Sequence, residues 1–238
     1  MKNFTFNGIS KPYLTALKGS NRQPWAPIEW TFQEVPKRPG ALPVKKNTGV
    51  RALPLPVFLK TDSIDDLQKV KEDLAEWLIH DEPMPLIFDD EPDRIYYAVV
   101  DGSFDPDEIL KWGQGVIPFI CPDPYKYGEE ESILLGDSPI RNEGTLKANP
   151  VFLIKFLASS TNFMVSVNEK AVKVIWNFKQ NDLLIIDSSK RKIIINNLVK
   201  MTALDLNSKW PEFIRGQNNI IADKTVANIT VTFRPRWL

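Results

Sequence analysis

Cysteine and histidine are almost missing: Cys121 and His80 are the only ones in 238 residues. A lone cysteine excludes an internal disulfide, and a lone histidine excludes a His-rich metal cage. No apolar run approaches the ~20 residues that a bilayer-spanning helix needs. The opening MKNFTFNGIS has no apolar signal core, so a soluble, unprocessed protein without membrane insertion is expected. Without a secretion signal, the sequons at Asn3 and Asn228 carry no weight. Net charge is absent too, because 30 Lys/Arg balance 30 Asp/Glu.

What is present is ordinary globular material, 43% apolar and 25% charged, enough for one large core or two smaller ones. The charge is laid down in blocks. Residues 1–60 hold ten Lys/Arg against two Asp/Glu, residues 61–131 five against twenty, and residues 132–238 fifteen against eight. Blocks of opposite sign can complement each other within one copy or between neighbouring copies, and the second case favours head-to-tail contacts.

The stretch 85–128 organises the first half. Pro85–Phe88 reads as a strand, Asp89–Asp93 as an acidic turn, Ile95–Val100 as a second strand, Asp101-Gly102 as a turn, and Gly113–Cys121 as a third strand. Residues 4–35 suggest strands with irregular connections. Residues 36–56 hold five prolines among Lys37, Arg38, Lys45, Lys46 and Arg51, which predicts an extended loop or hairpin arm. No aromatic residue between Ala41 and Val57 could stack on a base, so a solvated arm or a subunit contact is preferred to nucleic acid, with these five cations as the candidates for a contact with the acidic block. Residues 57–60 continue as a strand. Leu67, Val70, Leu74 and Leu78 share one face at helical spacing, with Trp77 beside them, Ser63 as N-cap and Pro83 forbidding continuation. That stripe should pack on the sheet.

From Glu129 onward every apolar run is strand-like: Val151–Leu157, Phe163–Val167, Val172–Phe178, Leu183–Ile186, Lys192–Ile195, Ile220–Ile221 and Val226–Phe233. A mainly β fold is expected, with an α+β N-terminal domain (1–131, one helix on a sheet) and a C-terminal β-sandwich (132–238). The alternation Val172, Val174, Trp176, Phe178 places Trp176 in the core. Trp210 and Trp237 are left open.

Catalytic chemistry is sparse. Asp89, Asp90, Glu91 and Asp93 could supply a carboxylate pair for glycoside hydrolysis, but acids crowded in a turn are usually solvated turn formers, and Pro92 breaks a calcium-loop pattern. His80-Asp81 at a helix C-terminus reads as a dipole partner, and Cys121 as a small strand hydrophobe. Gly113-Gln114-Gly115 lacks the third glycine of a dinucleotide loop and leads into a strand. No catalytic, cofactor or metal residues are assigned.

Several short motifs point further: FNG near the start, EPDR at 91–94, CPDPYKYG at 121–128, WPEFIRGQN at 210–218, and the ending PRWL. Together, across essentially the whole chain, they resemble the distal tail proteins of long-tailed (siphophage-type) bacteriophages and prophages of Gram-positive bacteria. The resemblance implies a virion protein of the tail tip and baseplate, assembled in the host cytoplasm. It implies a hexameric ring that joins the tail tube protein to baseplate, tail-associated or receptor-binding proteins and leaves a central channel for DNA, without sequence-specific binding and without catalysis. It further implies an N-terminal domain that makes the ring, a galectin-like or jelly-roll sandwich on the periphery, and a final segment, 234–238, that can return to the N-terminal domain. The alternative is a carbohydrate-binding module acting through the sandwich, with Trp210 as the sugar-stacking candidate.

Overall fold

The computed structural model describes residues 3–17, 22–60, 64–104, 107–109 and 112–238; Ser63, the expected helix cap, and the side chain of Leu67 lie outside the described residues. Apart from one α-helix and one 3-10 turn, all regular elements among them are β-strands, so the fold is mainly β. The chain divides into two compact units, Met1–Lys126 with Leu238, and Tyr127–Trp237.

In the first unit the strands are β1 (Phe4–Phe6), β2 (Leu14–Ala16), β3 (Ile28–Glu34), β4 (Ala41–Thr48) and β5 (Arg51–Lys60), followed by α1 (Ile64–Leu78). Then come β6 (Met84–Phe88), β7 (Glu91–Val100), β8 (Asp107–Ile109) and β9 (Trp112–Cys121), with β10 (Lys126–Tyr127) at the boundary between units. The main sheet runs β1-β6-β7-β9-β5-β2, and β8 pairs with β9. The FNG motif makes the first turn. Asn7 and Gly8 have φ of 51° and 73°, and Phe6 and Ile9 exchange two backbone hydrogen bonds of 3.0 Å, the arrangement in which Asn-Gly is favoured because both residues must be left-handed. The hairpin sends Phe4 and Phe6 inward against Trp77 of α1, stacked with Phe4 at 5.9 Å and edge-on to Phe6 at 6.2 Å. The Trp77 indole N–H donates to the Phe6 carbonyl at 3.0 Å. As the spacing predicts, Leu74, Trp77 and Leu78 are buried in this core. Lys11 and Tyr13 pin the outer side of the helix through Asp73, and their hydrogen bonds hold that carboxyl below the usual range.

Pro54 and Pro56, read from sequence as part of the arm at 36–56, lie inside a strand instead. β5 begins at Arg51 and runs through Pro54 and Pro56, and Pro54 faces Pro118 of β9. Leu17 N–H donates to Pro56 O and Lys60 N–H to Tyr13 O, so the even-numbered backbone groups of β5 point away from β9. Asp101 N–H donates to Pro118 O, which points Pro118 away from β5. The missing N–H groups therefore fall outside the β5–β9 ladder and no bond of that ladder is lost. The acidic turn is likewise shorter than expected. It comprises Asp89 and Asp90, and β7 starts at Glu91, because a register shift pairs Phe88 with Glu91 but Ile87 with Ile95. Pro92 lies in the stretch that this irregularity leaves unpaired on β6, where its lack of a donor is harmless.

The second unit contains β11 (Glu131–Leu134), β12 (Ile140–Asn142), β13 (Val151–Phe156), β14 (Ser160–Val167), β15 (Lys170–Phe178), β16 (Leu183–Asp187) and β17 (Lys192–Ile195). It continues with β18 (Leu198–Val199), β19 (Gly216–Asn218), β20 (Ile220–Ala222), β21 (Ala227–Phe233) and β22 (Arg236–Trp237). A six-stranded sheet, β11-β21-β13-β16-β17-β18, and a three-stranded one, β15-β14-β20, contribute alternate residues to one core; β12 pairs with β19 separately. Phe156 at its centre stacks on Phe178 at 4.1 Å and meets Phe163 edge-on at 5.3 Å. Trp176 departs from its expected inward position. Between Ile175 and Phe178 the register slips, three steps of β15 matching two of β14, and Trp176 falls in the exposed stretch Ile175–Asn177 with the Lys200 ammonium 5.8 Å from its ring. Alternation does not carry along a strand past an extra residue of its own.

One glycine is dictated by close approach. A Cβ on Gly144 would lie 2.6 Å from both the backbone N and O of Arg236. Gly144→Ala is expected to lower the urea midpoint of the second unit by the equivalent of about 1–3 kcal/mol. Gly136→Ala is the control: nothing lies within 4 Å of its added Cβ, and a shift below ~0.5 kcal/mol is expected there.

Candidate functional site

The groups that could have carried chemistry are engaged structurally. Asp89 accepts the Asn3 backbone N–H at 2.8 Å, Asp90 pairs with Arg22, and Asp93 pairs with Arg94 at 2.5 Å. Glu91 accepts Lys126 Nζ at 2.7 Å and the Tyr96 hydroxyl at 2.8 Å. The EPDR and CPDPYKYG motifs thus meet through Glu91 and Lys126, a clamp rather than a carboxylate pair facing a substrate. His80 packs on the Phe6 ring at 5.8 Å, and its Nε2 has no hydrogen-bond partner among the described residues. No group of three or more His, Cys, Asp or Glu has metal-binding geometry among those residues. Cys121 is fully buried in β9, and burial pushes its thiol up to about 12. A thiol reagent at pH 8 should therefore leave the folded protein unlabelled and react with one equivalent only after denaturation, since the thiolate is the nucleophile; fast labelling of the native chain would contradict this burial.

The remaining motifs are also structural. In WPEFIRGQN, Phe213 is buried, Glu212 pairs with Lys170 at 2.6 Å and Lys147 at 3.1 Å, and Gly216 has a φ of 87°. Asn218 is fully buried and ties the loop to its surroundings. Trp210, the candidate sugar platform, is half-buried against the sandwich core. Gly128, the last residue of CPDPYKYG, lies under Trp237, where an added Cβ would come within 3.1 Å of the ring.

The surface with an unmet need is the arm. The sequence predicted an arm at 36–56; it is the antiparallel hairpin of β3 and β4, Ile28–Glu34 on Ala41–Thr48, starting earlier and ending before β5. Lys37, Arg38, Lys45 and Lys46 are all exposed on it and form no ion pair among the described residues. Arg51, grouped with them from sequence, stands apart. It opens β5, is 0% exposed, and donates to the carbonyls of Pro124 at 2.8 Å and Gln23 at 2.9 Å. Sequence reasoning missed the arm's apolar face. Alternation puts Ile28, Trp30 and Phe32 on one side and Glu29, Thr31 and Gln33 on the other. Trp30 and Phe32 stack at 6.5 Å, with Lys46 over the indole at 6.0 Å, and they are 49% and 60% exposed. Val44, the extra residue where the register shifts, is 60% exposed. A two-stranded ribbon is marginal in water by itself, and Trp30, Phe32 and Val44 leave an apolar face open to solvent on it. The signal was readable as the alternation Ile28, Trp30, Phe32.

Comparison with known proteins agrees with the motifs. Residues 9–121 match the family described as the phage tail protein RIFT-related domain, and residues 143–237 match the siphovirus-type tail component, C-terminal domain. The distal tail protein of Bacillus phage SPP1 is 29% identical over 180 residues, 73% of this chain and 70% of that protein. The crystal structure of SPP1 Dit, described as a paradigm of the hub adsorption apparatus in phages infecting Gram-positive bacteria, superposes with a TM-score of 0.86 at 20% identity over 100% of both chains. A chain of the phage P2 baseplate in its activated conformation follows at a TM-score of 0.53 and 8% identity, over 99% of this chain and 98% of that one. With both units matched in order along one chain, this protein belongs to the distal tail protein family of siphophages and is a structural component of the virion tail.

Proposed function

We propose that six copies of this chain close into a ring at the tail tip, joining the tail tube protein to the baseplate or receptor-binding proteins, around a channel through which DNA passes without being read. The exposed arm carries this reading. Its cations and aromatic face are one half of a contact whose other half lies elsewhere on the molecule, and a heterologous contact that closes makes a ring. The opposite net charges of residues 1–60 and 61–131 supply complementary surfaces for neighbours. In this reading residues 1–131 make the ring, residues 132–238 project from it, 234–238 return to the ring-forming part, and no bond is made or broken on the protein. Light scattering on the purified chain, with negative-stain imaging, tests it: a six-copy species with a central hole is expected. A species that stays single-copy up to millimolar concentration would refute it.

A further inference from the structure

We infer that, in the ring read above, the aromatic face of the arm is received by the apolar groove between α1 and β9 of a neighbouring copy. This inference rests on the ring reading and names the surface that meets the arm. The groove is lined by Ala75, Leu78, Ile79, Val100, Phe104 and Ile117, with Lys71 at one side. Its volume of about 320 Å³ is on the order of ten waters, enough to admit an aromatic side chain. Ile79, just past the end of α1, is 62% exposed at its rim, a large apolar residue that its own copy does not cover.

Charge selects the occupant. Glu72 and Glu76 are exposed on α1, Asp81 and Glu82 follow it, and Asp101 stands beside the groove residue Gly102. The arm brings Lys37, Arg38, Lys45 and Lys46 against Glu29 and Glu34. Arm against arm would set cations face to face and groove against groove would do the same with carboxylates, whereas arm into groove pairs opposite signs around an apolar centre. That pairing is heterologous, so each copy offers one arm and one groove, as a ring requires. Trp30 and Phe32 fit the role of aromatic anchors, with the charged residues forming the rim.

Cysteine cross-linking of the full chain tests the contact, because the native thiol is buried and does not compete. Val44→Cys combined with Ala75→Cys, and separately with Ile79→Cys, places one thiol on the arm and one on the groove, all at exposed positions. On oxidation a ladder of covalent multiples beyond the dimer is expected, while each single variant stops at dimer. Ile79→Lys should raise the concentration at which copies assemble at least tenfold. Assembly like wild type with no ladder from either pairing would overturn the groove as the arm's receptor and leave the ring standing. A wild-type chain that never assembles would overturn both.

Discussion

Replacing Arg51 by alanine is expected to lower the unfolding free energy of the first unit by about 3–5 kcal/mol, since two hydrogen bonds from a charged donor are each worth ~1.5–3 kcal/mol. The guanidinium is fully buried, its ring-facing side 5.9 Å from the Tyr96 centroid, and it spans the carbonyls of Gln23 and Pro124. Those carbonyls belong to the segments that enter the arm and leave β9. Removing the donor takes a charged partner from both part-buried carbonyls and leaves a cavity where the buried guanidinium was. Arg51→Lys should recover less than half of the loss, because a single ammonium cannot bridge two carbonyls as a planar fork does. Equilibrium urea unfolding followed by tryptophan fluorescence measures both. A loss under ~1 kcal/mol for alanine would mean that the bridge contributes little.

Asn218→Ala should cost the second unit about 2–4 kcal/mol, at roughly 0.5–1 kcal/mol for each of the four shorter hydrogen bonds its buried amide makes. Its side-chain N–H groups donate to the carbonyls of Ile214 and Gly216, both at 2.9 Å, and its Oδ1 accepts the Ile214 N–H at 2.8 Å and Asn168 Nδ2 at 3.1 Å. One amide thus closes the loop that leads into β19 and ties it to the β14–β15 turn. Asn218→Asp separates the two functions: it keeps the acceptor and loses the donors, setting an anion against two carbonyls. Burial and those carbonyls would raise its pKa, so the damage should be full at neutral pH and shrink as pH falls through the raised value and the acid becomes a donor. Chemical denaturation at pH 5 and pH 8 reads the difference. An aspartate variant as stable as wild type at pH 8 would show that the donors are dispensable.

The readable parts of this chain were those with a local period. Leu74 and Leu78 lie one helical turn apart, and the helix followed. The run from Val226 to Phe233 alternates, and β21 buries Ala227, Ile229, Val231 and Phe233 in that phase. Trp176 shows where the method stops: the same alternation placed it inside, and a bulge decided by pairing with β14 turned it out. β8 and the β12–β19 pair were not anticipated, the first too short to show a period and the second joining Ile140 to Asn218 across most of the unit. Of the site, the four arm cations were readable as a basic, proline-punctuated run. The apolar face beside them was readable too, in the alternation Ile28, Trp30, Phe32, but was missed; the groove near α1 was not readable, because it forms only where the helix meets the sheet.

Composition, charge blocks and short motifs by themselves determined that this is a β-rich tail protein with a basic arm and an acidic stretch, because each of these is a property of neighbouring residues. Only the tertiary structure decided that Arg51 is a buried bridge while Lys45 and Lys46 face solvent, although all three sit in one basic run. The register of β5 on β9 sets position 51 opposite Cys121 and brings Pro124 within reach, whereas β4 has no layer behind it. Burial depends on what the rest of the chain brings alongside, and no stretch of sequence contains its own neighbours.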